Sequence, residues 1–324
     1  KMNTSYDKNT AVVIFPPISN GLLLNSKLKY WLAKSDITVR TERQELLQLL
    51  TKELKLPYPN QGLAALRVWG QSGVRPNEWI TALDPIHLEP RLDHLCMHAL
   101  NWSDMPISQM HNIIEHLQSS IGDQVNFKYK YSDSYAYLYS NNPIYSGLSP
   151  AYIFDRESPN SFLKAGMHSG IHKNLLSEIE MSLHNHNVNL EREKEGELPI
   201  NSLWLWGSGK APEISQIPQP PLFSNDPLLV GYWHSISSKV HRWPGNISSC
   251  LKNSKNSFIA EVPFKSNSPD YIERSLLDLQ EALRIGRLNS LTLLFRNNLR
   301  ASITQCHNLR IWRRRSYLVE KLCR

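Results

Sequence analysis

Cysteine is scarce in this 324-residue chain: Cys96, Cys250, Cys306 and Cys323 are the four present, and no two are spaced as CxxC. That absence argues against zinc knuckles and dithiol redox centres and leaves four free thiols whose expected role is packing. Long apolar runs are lacking too. Those such as Ala11 to Phe15 and Leu291 to Phe295 hold a handful of residues, whereas a bilayer-spanning helix needs about 20. Residues 1–10 are polar and lead straight into a strand-like run, with no apolar leader core, so the cytoplasm is the expected location and no membrane partner is expected. No GxSxG elbow and no HExxH pair is present. Gly207-Ser208-Gly209-Lys210 sets a cation beside two glycines after a strand, yet prolines follow it instead of a helix, which argues against a P-loop.

Against these absences, hydrophobic residues make up 41% of the chain and charged residues 20%, the usage of an ordinary folded protein. The net charge of +7 is unevenly placed. From Arg284 to Arg324 ten Lys or Arg stand against one acid, Glu320, so this segment carries +9 and everything before it carries −2. Such a basic segment, with Arg313, Arg314 and Arg315 at its centre, suits nucleic acid or another phosphate-rich partner, and equally a solvated surface.

Hydrophobic spacing gives mixed α/β order. Ala11 to Phe15 reads as a buried strand ended by Pro16-Pro17. Helices are expected over residues 41–54, 108–121 with Gly122 at the stop, 171–185, and from Ser268-Pro269-Asp270 to Ile285. Residues 125–131 alternate cleanly and pair with 136–139 as a hairpin; 291–295 and 299–304 form a second hairpin around Asn297-Asn298. A charged turn over residues 191–197 leads to the strand Ser202 to Trp206. The reading is one α/β domain over 1–324, with proline-rich loop insertions near 140–166 and 207–227 and a basic C-terminal subdomain over 268–324.

Two clusters hold candidate site residues. The first runs from His184 to Gly209 and offers Asn189, Arg192, Asn201, Trp204 and Trp206; the alternating tryptophans share one strand face, and a guanidinium fork suits an anion. The same tryptophans equally suit a core, and Asn a cap or turn. The second, Leu83 to His94, offers Asp84 and His87, and with Asp93 and His94 could hold a divalent metal, although Asp84-Pro85 is also an ordinary turn starter and the spacing matches no standard metal signature. His94, Cys96 and His98 would share a strand face. No residue stands out as a catalytic base.

The run Leu183-His184-Asn185-His186-Asn187-Val188-Asn189-Leu190-Glu191-Arg192, with Gly196, Asn201 and Trp204-Leu205-Trp206-Gly207-Ser208-Gly209, is similar to one in archaeal-type cofactor-independent phosphoglycerate mutases, metal-dependent members of the alkaline phosphatase superfamily. Over most of its length the chain resembles the RpfE-type bacterial regulatory proteins, through Asp84-Pro85-Ile86-His87-Leu88, the Asn189 to Gly209 run and the closing Trp312-Arg313-Arg314-Arg315. The resemblance implies an alkaline-phosphatase-like fold, or a degenerate three-layer sheet with flanking helices and a basic C-terminal hairpin. It implies phosphoglycerate mutase isomerase activity only if a first-strand aspartate, a serine nucleophile and a late Asp/His set build two metal sites. This chain departs there: Phe15-Pro16-Pro17-Ile18-Ser19-Asn20-Gly21 holds no acid, and Asn289 to Arg324 holds Glu320 and His307 alone of the needed types. The expectation is a regulatory or ligand-sensing protein for a phosphorylated small molecule, with a metal-dependent phosphoryl-transfer enzyme and a nucleic-acid or protein-docking module as the alternatives.

Overall fold

The computed structural model describes residues 9–17, 25–39, 43–122, 125–130, 134–159, 170–264, 268–296 and 299–310. Within them the chain is mixed α/β and gathers into two compact units, one formed by Lys1–Leu46 with Ile214–Arg324 and the other by Leu47–Glu213. No described helix is long and apolar enough to cross a membrane.

The first unit is built on a seven-stranded sheet. At its centre lies β1 (Thr10–Phe15), whose last five residues are all buried. A near-continuous apolar run suits a strand covered on both faces, and β1 pairs in parallel with β10 (Phe258–Glu261) on one side and β11 (Ser290–Phe295) on the other. Outward from β11 come β12 (Leu299–Thr304) and β2 (Asp36–Val39), both by antiparallel pairing. Outward from β10 come β8 (Leu222–Phe223) and β9 (Val240–His241). Helix α9 (Pro269–Arg284) begins as its sequence predicts: the Ser268 hydroxyl accepts from Tyr271 N–H, and Pro269 occupies the first turn where no N–H is needed. Its Ile272, Leu276, Leu279 and Leu283 join Phe15, Phe223, Phe258, Leu293 and Leu32 of α1 (Ser26–Ala33) in one core.

The second unit is organised by β3 (Trp79–Pro90). Along one edge it pairs antiparallel with β7 (Ser202–Gly209), with Asp84 opposite Trp204 and Ala82 opposite Trp206. Along its other edge the first half pairs with β6 (Tyr135–Ser140) and the second half with β4 (Leu95–Ala99), while β5 (Asn126–Lys130) completes the hairpin with β6. Side chains alternate across a strand. Leu83, Ala136, Leu138, Leu203 and Leu205 therefore share one face, packed with Ile113, Ile114 and Leu117 of α4 (Ile107–Ile121) and Leu175, Ile179 and Leu183 of α5 (Gly170–Leu183). The opposite face presents Tyr135, Tyr137, Asp84, Trp204, Trp206 and Ser208, and it is there that α3 (Leu63–Ser72) sets Arg67 against Tyr135, Tyr137 and Trp206.

Several expectations are corrected. Asp84-Pro85 lies inside β3 and not in a turn: Pro85 has no N–H for the ladder, but its carbonyl accepts from Leu100 N–H. Residues 191–194 of the expected charged turn belong to a helix, α6 (Asn187–Lys194), which His186 caps by accepting from Val188 N–H. Gly122 does close α4 as expected, with φ −78. The second helix, α2 (Leu46–Leu54), starts five residues later than expected. The glycine pair is not a loop but the end of β7, and it serves close packing. A Cβ on Gly209 would stand 2.5 Å from Gly62 N, and one on Gly62, whose φ is 77, would stand 2.2 Å from the Lys210 carbonyl oxygen. Only glycine lets the start of α3 lie this close, where Gly62 N–H donates to the Ser208 carbonyl.

Candidate anion-binding site

The polar face of β3 and β7 carries a dense buried cluster that includes the predicted residues Asp84 and Trp206. Arg67 reaches it from α3 with 5% of its surface exposed. Its guanidinium carbon lies 4.2 Å from the Tyr135 ring, 4.8 Å from Tyr137 and 5.0 Å from Trp206, a cation held among three π faces. Arg67 Nε donates to the Tyr137 hydroxyl at 2.8 Å, and that hydroxyl donates to Gln71 Oε1 at 2.9 Å. Burial pushes the Tyr137 phenol well above its ordinary value, so it stays protonated and able to donate. Burial also works against the Arg67 charge, but the Tyr137, Tyr135 and Asp84 side chains outweigh it and hold the guanidinium protonated.

Asp84 faces the same cluster. Burial raises its carboxyl above the usual range, opposed by Arg67, by the Trp206 indole and by the hydrogen bond from Ala151 N–H to Oδ2 at 3.0 Å. The indole Nε1 of Trp206 faces this carboxyl without closing a hydrogen bond of ordinary length. Two further donors there are also buried without a partner, Arg67 Nη2 and Gln71 Nε2. A buried polar atom left unpaired costs about 1–3 kcal/mol, so the two on Arg67 and Gln71, beside a loosely held indole, call for an acceptor.

The segment 141–157 closes this face through polar links. Trp204 Nε1 donates to the Ser149 carbonyl at 2.9 Å, Gly207 N–H to the Gly147 carbonyl at 2.6 Å, and Ser146 Oγ to Ser208 Oγ at 2.7 Å. Of its own residues, Ala151 to Phe154 form a 3-10 turn.

The remaining predicted residues sit elsewhere in the second unit: His87 on β3, Asn201 just before β7, and Asn189 and Arg192 on α6. Asp84 and His87, three apart on a strand, point to opposite faces, which separates them as co-ligands of one metal. Asn201 binds Leu88 like a strand partner, its Oδ1 accepting from the N–H at 2.7 Å and its Nδ2 donating to the carbonyl at 2.9 Å. Asn189 does the same for Ile200, at 2.8 Å in both directions, and also donates to the Leu183 carbonyl. Arg192 is buried with Nε on the Leu198 carbonyl at 2.9 Å, Nη1 near Gln109, and Nη2 3.7 Å from Glu197, so its planar fork is engaged by the protein itself. The two sequence clusters thus meet as neighbouring strands, but the open guanidinium nitrogen belongs to Arg67. Nothing in the sequence pattern marks Arg67; its position within an apolar stretch, Leu63-Ala64-Ala65-Leu66-Arg67-Val68-Trp69, is the signal available. Arg313, Arg314 and Arg315 lie outside the described residues.

A metal-dependent phosphoryl-transfer centre of the kind implied above would use the carboxyl ends of the first unit's parallel strands. In the sequence, the residues that follow those strands, 16–25, 224–226, 262–268 and 296–298, include one acid, Asp226. Asp226 caps α7 (Pro227–Ser235), accepting from Leu228 and Leu229 N–H. The last residue of β10, Glu261, is buried against Arg296 at 2.6 Å and accepts from Ser224 Oγ at 3.0 Å. A cation in direct contact with the available carboxylate is the opposite of what a dinuclear centre needs, and these residues do not fit one.

No family model matches the chain, and no curated protein matches it. Among solved structures it is similar to the cofactor-independent phosphoglycerate mutase from Thermoplasma acidophilum, at 17% identity and TM-score 0.42 over 92% of this chain and 90% of that one. It is also similar to the PH0037 protein from Pyrococcus horikoshii, at 11% identity and TM-score 0.48 over 92% of this chain and 88% of that one.

Proposed function

We propose that this chain is a ligand-sensing regulatory protein of the RpfE type, mutase-like and alkaline-phosphatase-like in architecture and cytoplasmic, which binds a phosphorylated small molecule at the Arg67 cluster without turning it over. One observation carries the reading: two buried donors, on Arg67 and Gln71, lack an acceptor beside a Trp206 indole that faces Asp84 without closing an ordinary hydrogen bond, and a phosphoryl group is the acceptor-rich anion that such donors match. Burial raises the Asp84 carboxyl above its ordinary value, which lessens its repulsion of an anion beside it. The reading gives Arg192, Asn189 and Asn201 the task of holding the β7 approach in place, and takes the anion to Arg67. It leaves catalysis out, because a seryl phosphoryl-transfer centre needs two metal ions and the strand ends supply one free-standing acid, already used as a helix cap.

Calorimetry on the whole protein, with inorganic phosphate and a panel of phosphate monoesters including phosphoglycerate, tests it. Trp206→Phe keeps the ring and removes one donor, and it is expected to weaken binding at least about tenfold; Arg67→Met is expected to abolish it. Arg192→Ala is expected to leave affinity unchanged in the fraction that remains folded. Unchanged affinity in Trp206→Phe and Arg67→Met, or phosphate release in the presence of Mn or Zn, contradicts the proposal.

A further inference from the structure

The β3–β4 hairpin carries a second constellation, on the face opposite Asp84. In its antiparallel register Glu89 stands directly across from Cys96, and His87 directly across from His98. Cross-strand partners and residues two apart share a face, so all four side chains project to the same side. The sequence pattern contains half of this, His94, Cys96 and His98 at alternate positions; the other half appears only when the strands pair. One ligand atom each from Glu89, Cys96 and His98 lies within 4.8 Å of the others. Tetrahedral zinc, with bonds of about 2.0 to 2.3 Å, spaces its ligand atoms about 3.3 to 3.7 Å apart, so the three atoms need to draw together by roughly 1 Å. His98 Nε2 and Glu89 Oε2 share a hydrogen bond of 2.7 Å, in which a proton sits where a metal ion would draw the same two atoms.

His87 supplies the independent observation. Its Nδ1 lies 2.9 Å from the Pro199 carbonyl, which can only accept, so Nδ1 carries the proton and Nε2 of the neutral ring keeps its lone pair. A backbone carbonyl on the far nitrogen is the usual support of a metal-bound imidazole. The His87 and His98 rings stand 6.0 Å apart, centre to centre. Arg91 competes for Glu89 at 2.8 Å, but it is a surface pair with the arginine side chain 52% exposed, and such pairs contribute at most about 1 kcal/mol.

We propose that Glu89, Cys96 and His98, closed by His87, form a zinc site that ties β3 to β4. Binding would release the Cys96 thiol proton to solvent, shift the His98 ring proton from Nε2 to Nδ1 so that Nε2 can ligate, and displace Arg91. Four protein ligands leave no open position, which makes the centre structural, separate from the anion cluster on the other face. It stands whether or not that cluster binds a phosphorylated ligand.

Cobalt titration of the full chain tests the site, because a thiolate ligand gives Co2+ a charge-transfer absorption that nitrogen and oxygen ligands do not. One equivalent of Co2+ is expected to bind with that band and to be displaced by Zn2+. Cys96→Ser is expected to lose the band with its circular dichroism unchanged, whereas Cys306→Ser, at an exposed thiol outside the cluster, is expected to keep it. His98→Ala should weaken affinity at least about tenfold, and His87→Ala should alter the visible spectrum and weaken binding to a similar degree. A band that is absent in the native chain, or that survives Cys96→Ser, overturns the site. A spectrum and affinity unmoved by His87→Ala overturn the four-ligand centre.

Discussion

At the scale of single residues, the side chains that look most like ligands in the sequence divide by what they touch. Asn189 and Asn201 each mimic a strand partner, offering carbonyl and amide to one backbone residue, and this use of asparagine leaves the same composition behind as a binding site does. Asn189→Ala strands the buried N–H and carbonyl of Ile200 and the Leu183 carbonyl. It is expected to cost about 2–4 kcal/mol in denaturant unfolding while leaving anion affinity untouched in the folded protein. Asp84 gives a pH signature. Its folded-state carboxyl titrates above its ordinary value, so between the two the native state holds a proton that the unfolded state has released, and stability falls as pH rises through that window. Unfolding midpoints of the wild type relative to Asp84→Asn are expected to decline upward from the ordinary carboxylate range and then level off. A relative gain in stability over the same range would contradict the account.

At the scale of elements, the legible parts are those whose periodicity has a single explanation. The buried run of β1, the stripe of α4, the capped start of α9 and the two hairpins are all found where spacing places them. What escapes reading escapes for stated reasons. Asp84-Pro85 has the chemistry of a turn starter, and only pairing on both sides of β3, with β7 and with β6 and β4, makes it a strand. Residues 187–194 are too polar for an apolar stripe: of the three inward residues of α6 only Val188 joins the apolar core, while Asn189 and Arg192 are held by hydrogen bonds. Gly207 and Gly209 resemble an anion-binding turn because both a phosphate and a helix backbone demand the same absence of a side chain. Gly62→Ala tests which of the two applies: with φ 77 and a new Cβ 2.2 Å from the Lys210 carbonyl oxygen, it is expected to destabilise the second unit by more than about 2 kcal/mol, measured by thermal or denaturant unfolding. A neutral substitution would mean that α3 and β7 do not meet this closely.

At the scale of the whole molecule, charge and chemistry are laid out unevenly. The residues that follow the first unit's parallel strands in the sequence hold few of the acids that a dinuclear phosphoryl-transfer centre requires, a fact readable once the strands are located. The excess positive charge falls on the segment from Arg284 to Arg324. If that segment docks nucleic acid, binding should weaken steeply with salt, and neutralising Arg313, Arg314 and Arg315 together should lower the slope of log affinity against log salt by about 3 units. A slope that does not change would confine those arginines to solvation.

The central claim is that an acceptor-rich anion lodges beneath residues 141–157, against Arg67 and Trp206. Crystals grown with selenate, a phosphate mimic whose selenium scatters anomalously, locate such an anion directly. The account expects an anomalous peak within hydrogen-bonding distance of Arg67 Nη2 and Trp206 Nε1 in the wild type and none there in Arg67→Met; selenate found only along the basic C-terminal segment, with the Arg67 cluster dry of it, would contradict the account.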